Sequence, residues 1–252
     1  IFTSDLTTLP IERVIARGKT VALNGDLTTE CPHVAWPEAA RQTVRMGADK
    51  TASEFAIAAP HGALSADVRV IGVIENQAPT KALEATLPVR EGCVVGQGDI
   101  CKIALVERHQ ARGSVTNAFV SGFGYQGQMA VASTVAHDSH HMIVVGTCPE
   151  NMAQAANRLA EVGGGVTVWK DGAERALIEL PIAGLMSDAP AATVAAKADE
   201  MVQAMADCGC SLNNAYMQHS LLALVVIPEL RISDLGLVDV TRFEIIPVLK
   251  GA

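Results

Sequence analysis

Three of the seven histidines fall within five residues, in the segment Ala136-His137-Asp138-Ser139-His140-His141. Imidazole titrates near neutrality and, when neutral, both donates and accepts. Placed beside a carboxylate it can bind a metal, relay a proton or hydrogen-bond a heterocycle. His137, Asp138 and His140 are therefore candidate catalytic residues, and Ser139 and His141 candidate substrate contacts. The backbone decides which of them act together. On an extended chain His137, Ser139 and His141 share one face, and Asp138 and His140 the other. In a tight turn His137 and His140 converge. The competing explanation is a polar turn whose Asp138 and Ser139 satisfy backbone amides.

Other residues suggest chemistry more weakly. Glu107-Arg108-His109 ends a strand, either as an ion-paired edge or as a group that orients the histidines from behind. In Gly184-Leu185-Met186-Ser187-Asp188 the Ser and Asp read as helix caps, with Asp188 capping the second helix. Cys208-Gly209-Cys210 reads as small apolar residues closing a helix, or else as soft metal ligands. A free-standing metal module would combine His137, His140 and Cys208 or Cys210. His-x-x-His without a distant third ligand is a weak zinc spacing, and His-x-His is absent from the chain. Gly122-Phe123-Gly124 and Gly163-Gly164-Gly165 lack the Lys and the strand-loop-helix setting of a phosphate loop.

The elements around these residues follow from periodicity. Residues 12–22 alternate around a glycine turn, and Asn24-Gly25 marks a second tight turn. Pro32 and Pro37 interrupt a stretch with at most one helical turn. Strands are expected over Val68–Ile74, a bent pair over Lys81–Val95 with Pro88 at an edge or bulge, then Asp99–Arg108, Asn117–Phe123, Ala130–Ala136 and Met142–Gly146. Apolar residues at helical spacing place one helix over Glu150–Val162, with Pro149 at its first position and Thr147 or Cys148 at its cap. A second helix spans Pro190–Cys208 and ends at Gly209. Strands follow at Val166–Trp169, Ala176–Leu180, Ser220–Val226 and within Gly236–Val248. Strands first and helices later indicate an α+β fold, a mostly antiparallel or mixed sheet with two main helices.

Composition bounds the rest. Over 252 residues, 49% are hydrophobic, 18% charged and 4% aromatic, enough for an aliphatic core. The formal net charge is -8 and the 19 basic residues are scattered, which argues against nucleic-acid binding. The six cysteines form no CxxC pair or disulfide framework and read as reduced thiols of a cytoplasmic protein. The apolar run Leu221–Ile227 is too short to cross a bilayer. Ile1-Phe2, without an initiator Met, reads as the tail of a strand in a longer polypeptide.

Residues 123–147, from Phe123-Gly124-Tyr125-Gln126-Gly127 through His137-Asp138-Ser139-His140-His141 to Val145-Gly146-Thr147, resemble the signature region of adenine deaminase C-terminal domains. The resemblance continues in Asn157-Arg158-Leu159, Gly163-Gly164-Gly165 and residues 180–188. It resumes in Leu222-Ala223-Leu224, residues 226–230 and Gly236-Leu237-Val238-Asp239. It implies a domain over 53–252, a linker over 31–52, and over 1–30 the end of the β-sandwich that flanks an amidohydrolase barrel. It also implies hydrolysis of adenine to hypoxanthine and ammonia. A divalent metal centre, manganese or iron, would serve that reaction by lowering the pKa of a bound water. Those ligands belong to a barrel upstream of this chain, and none can be carried onto it. A homo-oligomer is expected. The family commonly has Asn after the second His of the motif, where this chain has His141, so any substrate contact there changes in reach. The alternative function is a non-catalytic assembly or lid domain.

Overall fold

A computed structural model describes all residues except 32, 33, 214 and 252, so the expected break at Pro32 lies outside the described residues. The chain divides into two compact units, Ile1–Trp36 and Pro37–Ala252. The first is a three-stranded antiparallel meander of β1 (Arg13–Ala16), β2 (Lys19–Leu23) and β3 (Asp26–Leu27). Both of its turns, Arg17-Gly18 and Asn24-Gly25, hold two successive residues at positive φ. That conformation matches the right-handed strand twist.

The second unit is built on a nine-stranded mixed sheet. Its strands are β4 (Ser65–Val73), β5 (Thr80–Arg90), β6 (Cys93–Val94), β7 (Cys101–Val106), β8 (Val115–Ser121), β9 (Met129–Ser133), β10 (Met142–Gly146), β11 (Gly165–Lys170) and β12 (Ala173–Glu179). They lie in the order β12-β11-β9-β10-β7-β8-β4-β5-β6. All pairs are antiparallel except β4 with β8, which makes the sheet mixed. Pro88, lacking an N–H, sits at the end of the β4–β5 ladder opposite Ser65.

Side chains alternate across the strands, so the sheet buries two faces. Helix α1 (Pro149–Glu161) covers one, packing Met152, Ala155, Ala156 and Leu159 on Ala104, Val106, Ala130, Ala132, Met142 and Val144. On the other face Ile103, Leu105, Val131, Ile143 and Val145 meet Met201 and Met205 of α2 (Ala191–Asp207). Leu222 follows α3 (Ala215–Leu221) and joins this core with Ile232 and Leu237. Those last two lie in a small antiparallel sheet of β13 (Leu230–Ser233), β14 (Gly236–Asp239) and β15 (Glu244–Ile246). Each fully buried Ile or Leu contributes roughly 1.5–3 kcal/mol. No described helix is long and apolar enough to cross a membrane.

Two expectations are corrected. Residues 220–226 are not a strand. The chain turns there after α3, a third helix whose buried residues include the polar Gln218, His219 and Ser220. Polar side chains on the buried face erased the hydrophobic period that would have announced it. Asp188 does not cap α2: the cap position is Pro190, with no side-chain bond. Proline forces the residue before it into an extended conformation. This leaves Asp188 two residues early, where it pairs with Arg41 at 2.7 Å. At α1, by contrast, Cys148 occupies the expected cap position ahead of Pro149, without a side-chain cap bond.

The C-terminal segment is stitched to β4. Arg69 N–H donates to the Val248 carbonyl at 2.9 Å, and Lys250 N–H to that of Asp67 at 2.8 Å. The fully buried Arg231 donates to the carbonyls of Ile227, Leu221, Ala78 and Pro228.

Candidate functional site

Strand β9 ends at Ser133, and the chain turns through residues 137–139 before β10 starts at Met142. The histidine segment is thus a tight turn at one end of the sheet, not an extended strand. His140 takes φ 51° and its N–H donates to the Ala136 carbonyl at 2.7 Å. Of the two arrangements expected, convergence is the one present: the rings of His137 and His140 meet edge to face, centroids 5.2 Å apart. Asp138 and Ser139 are exposed at the tip.

The hydrogen bonds assign tautomers. Ala136 N–H donates to His140 Nδ1 at 3.2 Å, so the proton of neutral His140 lies on Nε2. Burial, reinforced by His137 and Arg108, holds His140 below the ordinary histidine value, so the ring is neutral at pH 7. His140 therefore presents an N–H donor from Nε2. His137 N–H is taken by the Ser220 carbonyl at 2.9 Å, which anchors the turn to the end of α3.

Glu107, Arg108 and His109 follow β7, whose last residue Val106 lies opposite Met142. Glu107 makes no ion pair among the described residues. Its carboxylate accepts the N–H groups of His109 (2.5 Å), Gln110 (2.8 Å) and Arg112 (2.9 Å), folding the loop back on itself. Arg108 is 1% exposed. Its guanidinium donates to the carbonyls of His140 (2.5 Å), Ala183 (3.3 Å) and Thr43 (3.4 Å). His109 Nε2 donates to the Ser139 carbonyl at 2.7 Å, which leaves its Nδ1 as the acceptor. Arg108 and His109 thus grip carbonyls of the histidine turn, while Glu107 shapes the loop that carries His109. The Gly184 motif joins from the other side. Its φ is +71°, and a Cβ there would sit 2.8 Å from the Arg108 guanidinium.

His141 points away from the tip. It is buried, its ring lies tilted against His109 with centroids 4.7 Å apart, and its Nε2 lies 3.7 Å from Asp234. Its Nδ1 has no hydrogen-bond partner among the described residues. Burial lowers its pKa, and Asp234 opposes that shift. Sequence reasoning missed Asp234, which lies 93 positions away in the β13–β14 turn and carries no local signal. It also missed His219, an isolated histidine in α3. His219 is buried with its Nε2 2.7 Å from the Tyr125 hydroxyl and its ring 4.3 Å from Phe123.

A resident metal does not fit what is here. Among the described residues no three His, Cys, Asp or Glu side chains are grouped to hold one. Cys208 and Cys210 are buried, and burial raises both thiols, opposite to what thiolate ligation needs. The paired glycines 122 and 124 do make an anion cradle, but it is filled by the chain itself: both N–H groups donate to Asp99 at 2.5 Å.

The family profile described as adenine deaminase C-terminal domain matches residues 77–244, which include the whole histidine turn. Relatives called adenine deaminase extend the match beyond it. That of Roseobacter denitrificans is 72% identical over 251 residues, 100% of this chain and 42% of its own length. That of Ruegeria sp. (strain TM1040) is 70% identical over 250 residues, 99% and 42%. The more distant protein of Moorella thermoacetica is 42% identical over 253 residues, again 100% and 42%. The chain therefore spans about two fifths of the length of the curated relatives it matches.

Proposed function

The chain belongs to the adenine deaminase C-terminal domain family, and on that premise we propose that it is the C-terminal part of an enzyme that hydrolyses adenine to hypoxanthine and ammonia. The observation that carries the reading is the match over residues 77–244 with the histidine turn inside it. The enzyme is metal-dependent, with manganese or iron held by an upstream amidohydrolase barrel, and it serves purine salvage in the cytoplasm. The metal supplies the activated water. This chain by itself is inactive on adenine.

Within that enzyme the histidine turn approaches the barrel mouth. His140 offers its Nε2–H to a purine ring nitrogen, and Asp138 accepts from a ring N–H or from the amino group. His137 packs against His140 and limits its rotation. Arg108 and His109 hold the turn's carbonyls so that the imidazoles keep one orientation, as preorganised sites require. Ser139 acts at the rim, and the buried His141 supports the turn from behind, against His109 and Asp234.

The test is Asp138→Asn and His140→Asn in the full-length enzyme at saturating manganese or iron. A loss of tenfold or more in kcat/KM is expected from each. Unchanged kinetics would remove the turn from the active site.

A second reading, an assembly domain, draws on another observation. Leu235, Phe243 and Ile245 stand exposed on the small sheet, beside the Asp234 that faces His141. Such apolar exposure suits a subunit contact in a homo-oligomer. Replacing Phe243 with Ser should lower the molar mass seen by light scattering of the full-length protein; an unaltered mass sinks this reading.

A further inference from the structure

At the end of β7 opposite the histidine turn lies Lys102, a charged residue inside a core strand. It is 5% exposed, yet its ammonium has no hydrogen-bond or ion-pair partner among the described residues. Lysine is almost never this buried unless paired. The core buries its stem, and the ammonium meets the cavity beside it, open to a partner.

The surroundings are shaped for such a partner. Lys102 lines a cavity of about 300 Å³ together with Gly96, Gly98, Gly127 and Thr147. Its neighbour across the β7–β10 ladder is Gly146, whose Cβ position is already taken up by Met152 and Ala130. Neither Gly96 nor Gly146 tolerates a Cβ: one would fall 2.1 Å from the Ile100 carbonyl oxygen and 2.7 Å from that of Met129, respectively. The walls are therefore close-set backbone. Gly146 and Thr147 lead directly into α1, thirteen residues long, whose first turn has no side-chain cap.

Nearby acids do not neutralise the ammonium. Glu150 is the nearest carboxylate to influence it, and it accepts a hydrogen bond from the Cys148 thiol at 3.0 Å instead. Burial lowers the lysine pKa, with Cys93, Glu150 and Cys148 pulling the other way. A bound anion would oppose the effect of burial.

We propose that Lys102 and the loops around it, Gly96–Gly98 and Gln126–Gly127, form a binding site for a small oxyanion, a phosphate or a carboxylate, separate from the histidine turn. Gly98 and Gly127 leave open space at the wall, the ammonium supplies the charge, and Gln97 and Gln126 line the mouth. The cavity volume admits an ion of that size with a few waters and not a polymer.

The experiment uses the full-length protein. Binding of inorganic phosphate and, in a second arm, of acetate is measured by isothermal titration calorimetry at low ionic strength. Saturable binding of one ion per chain is expected in at least one arm, weakened tenfold or more by Lys102→Met. A wild-type protein that binds neither ion saturably overturns the proposal, as does equal binding by the variant. Should the variant fail to fold, acetylation of Lys102 by acetic anhydride, followed by mass spectrometry, decides on the wild type. Protection by the bound ion supports the site, and an unchanged acetylation rate overturns it.

Discussion

His219 stores a pH dependence in one side chain. Burial drives its pKa from 6.5 down to about 3, while the Tyr125 hydroxyl lies 2.7 Å from its Nε2. A folded value below the unfolded one means that the unfolded chain binds the extra proton first. The contribution is thus fully present above pH 6.5 and is lost as pH falls from there towards 3, at up to about 1.4 kcal/mol per pH unit. Replacing His219 with Phe should flatten the acid side of a plot of thermal midpoint against pH. An unaltered slope would mean that the ring charges freely. Arg108 makes a second residue-scale case. Arg108→Met removes donors from three carbonyls, of His140, Ala183 and Thr43, and should destabilise the protein by roughly 3–5 kcal/mol. Denaturant unfolding checks it. The sequence pointed to Glu107-Arg108-His109 as charges beside the histidines, but it left open whether they paired or oriented. The answer lay in backbone carbonyls, which residue types do not encode. Asp234 was illegible for a related reason: it comes beside His141 only through a hairpin that packs from far along the chain.

At the scale of elements, the turn between α1 and β11 depends on close backbone contact. Gly164 has φ +117°, and a Cβ there would fall 2.4 Å from the Gly184 Cα. Gly164→Ala should therefore cost about 3 kcal/mol or more, combining strain with displaced backbone. Gly172, at φ +75° in the β11–β12 turn, meets nothing within 4 Å. Gly172→Ala there should cost only about 1–2 kcal/mol, the left-handed penalty alone. Chemical denaturation of the two variants separates steric from conformational cost, and equal losses would contradict the packing. Strands such as β10, apolar throughout and bounded by polar turns, were plain in the sequence. So was α1, whose small and apolar residues recur at helical spacing. Helix α3 was not, because its inward face carries Gln218, His219 and Ser220, and burial of polar groups leaves no hydrophobic trace. The start of α2 shifted because Pro190 sets the backbone there more firmly than Asp188 could cap it.

Across the whole molecule, one sheet carries two polar ends. The histidine turn follows β9 and precedes β10, and Lys102 lies at the other end of the same β7–β10 ladder. Five paired positions separate them, about 15 Å at strand rise. Between them β7 is buried throughout, so neither end moves without the core. The C-terminal segment has a different standing. Val248 and Lys250 take backbone bonds from β4 where β8 no longer runs beside it, and Leu249 lies opposite Val68. Cutting the chain after Pro247 would bare an unpaired stretch of strand, the kind of edge that recruits other strands. The truncated protein should aggregate on standing, as dynamic light scattering would register, and a synthetic peptide of the missing residues should slow it. The last residues of this domain thus act as a built-in stopper, and anyone attaching a fluorophore or an affinity tag does better to leave them in place and extend beyond them.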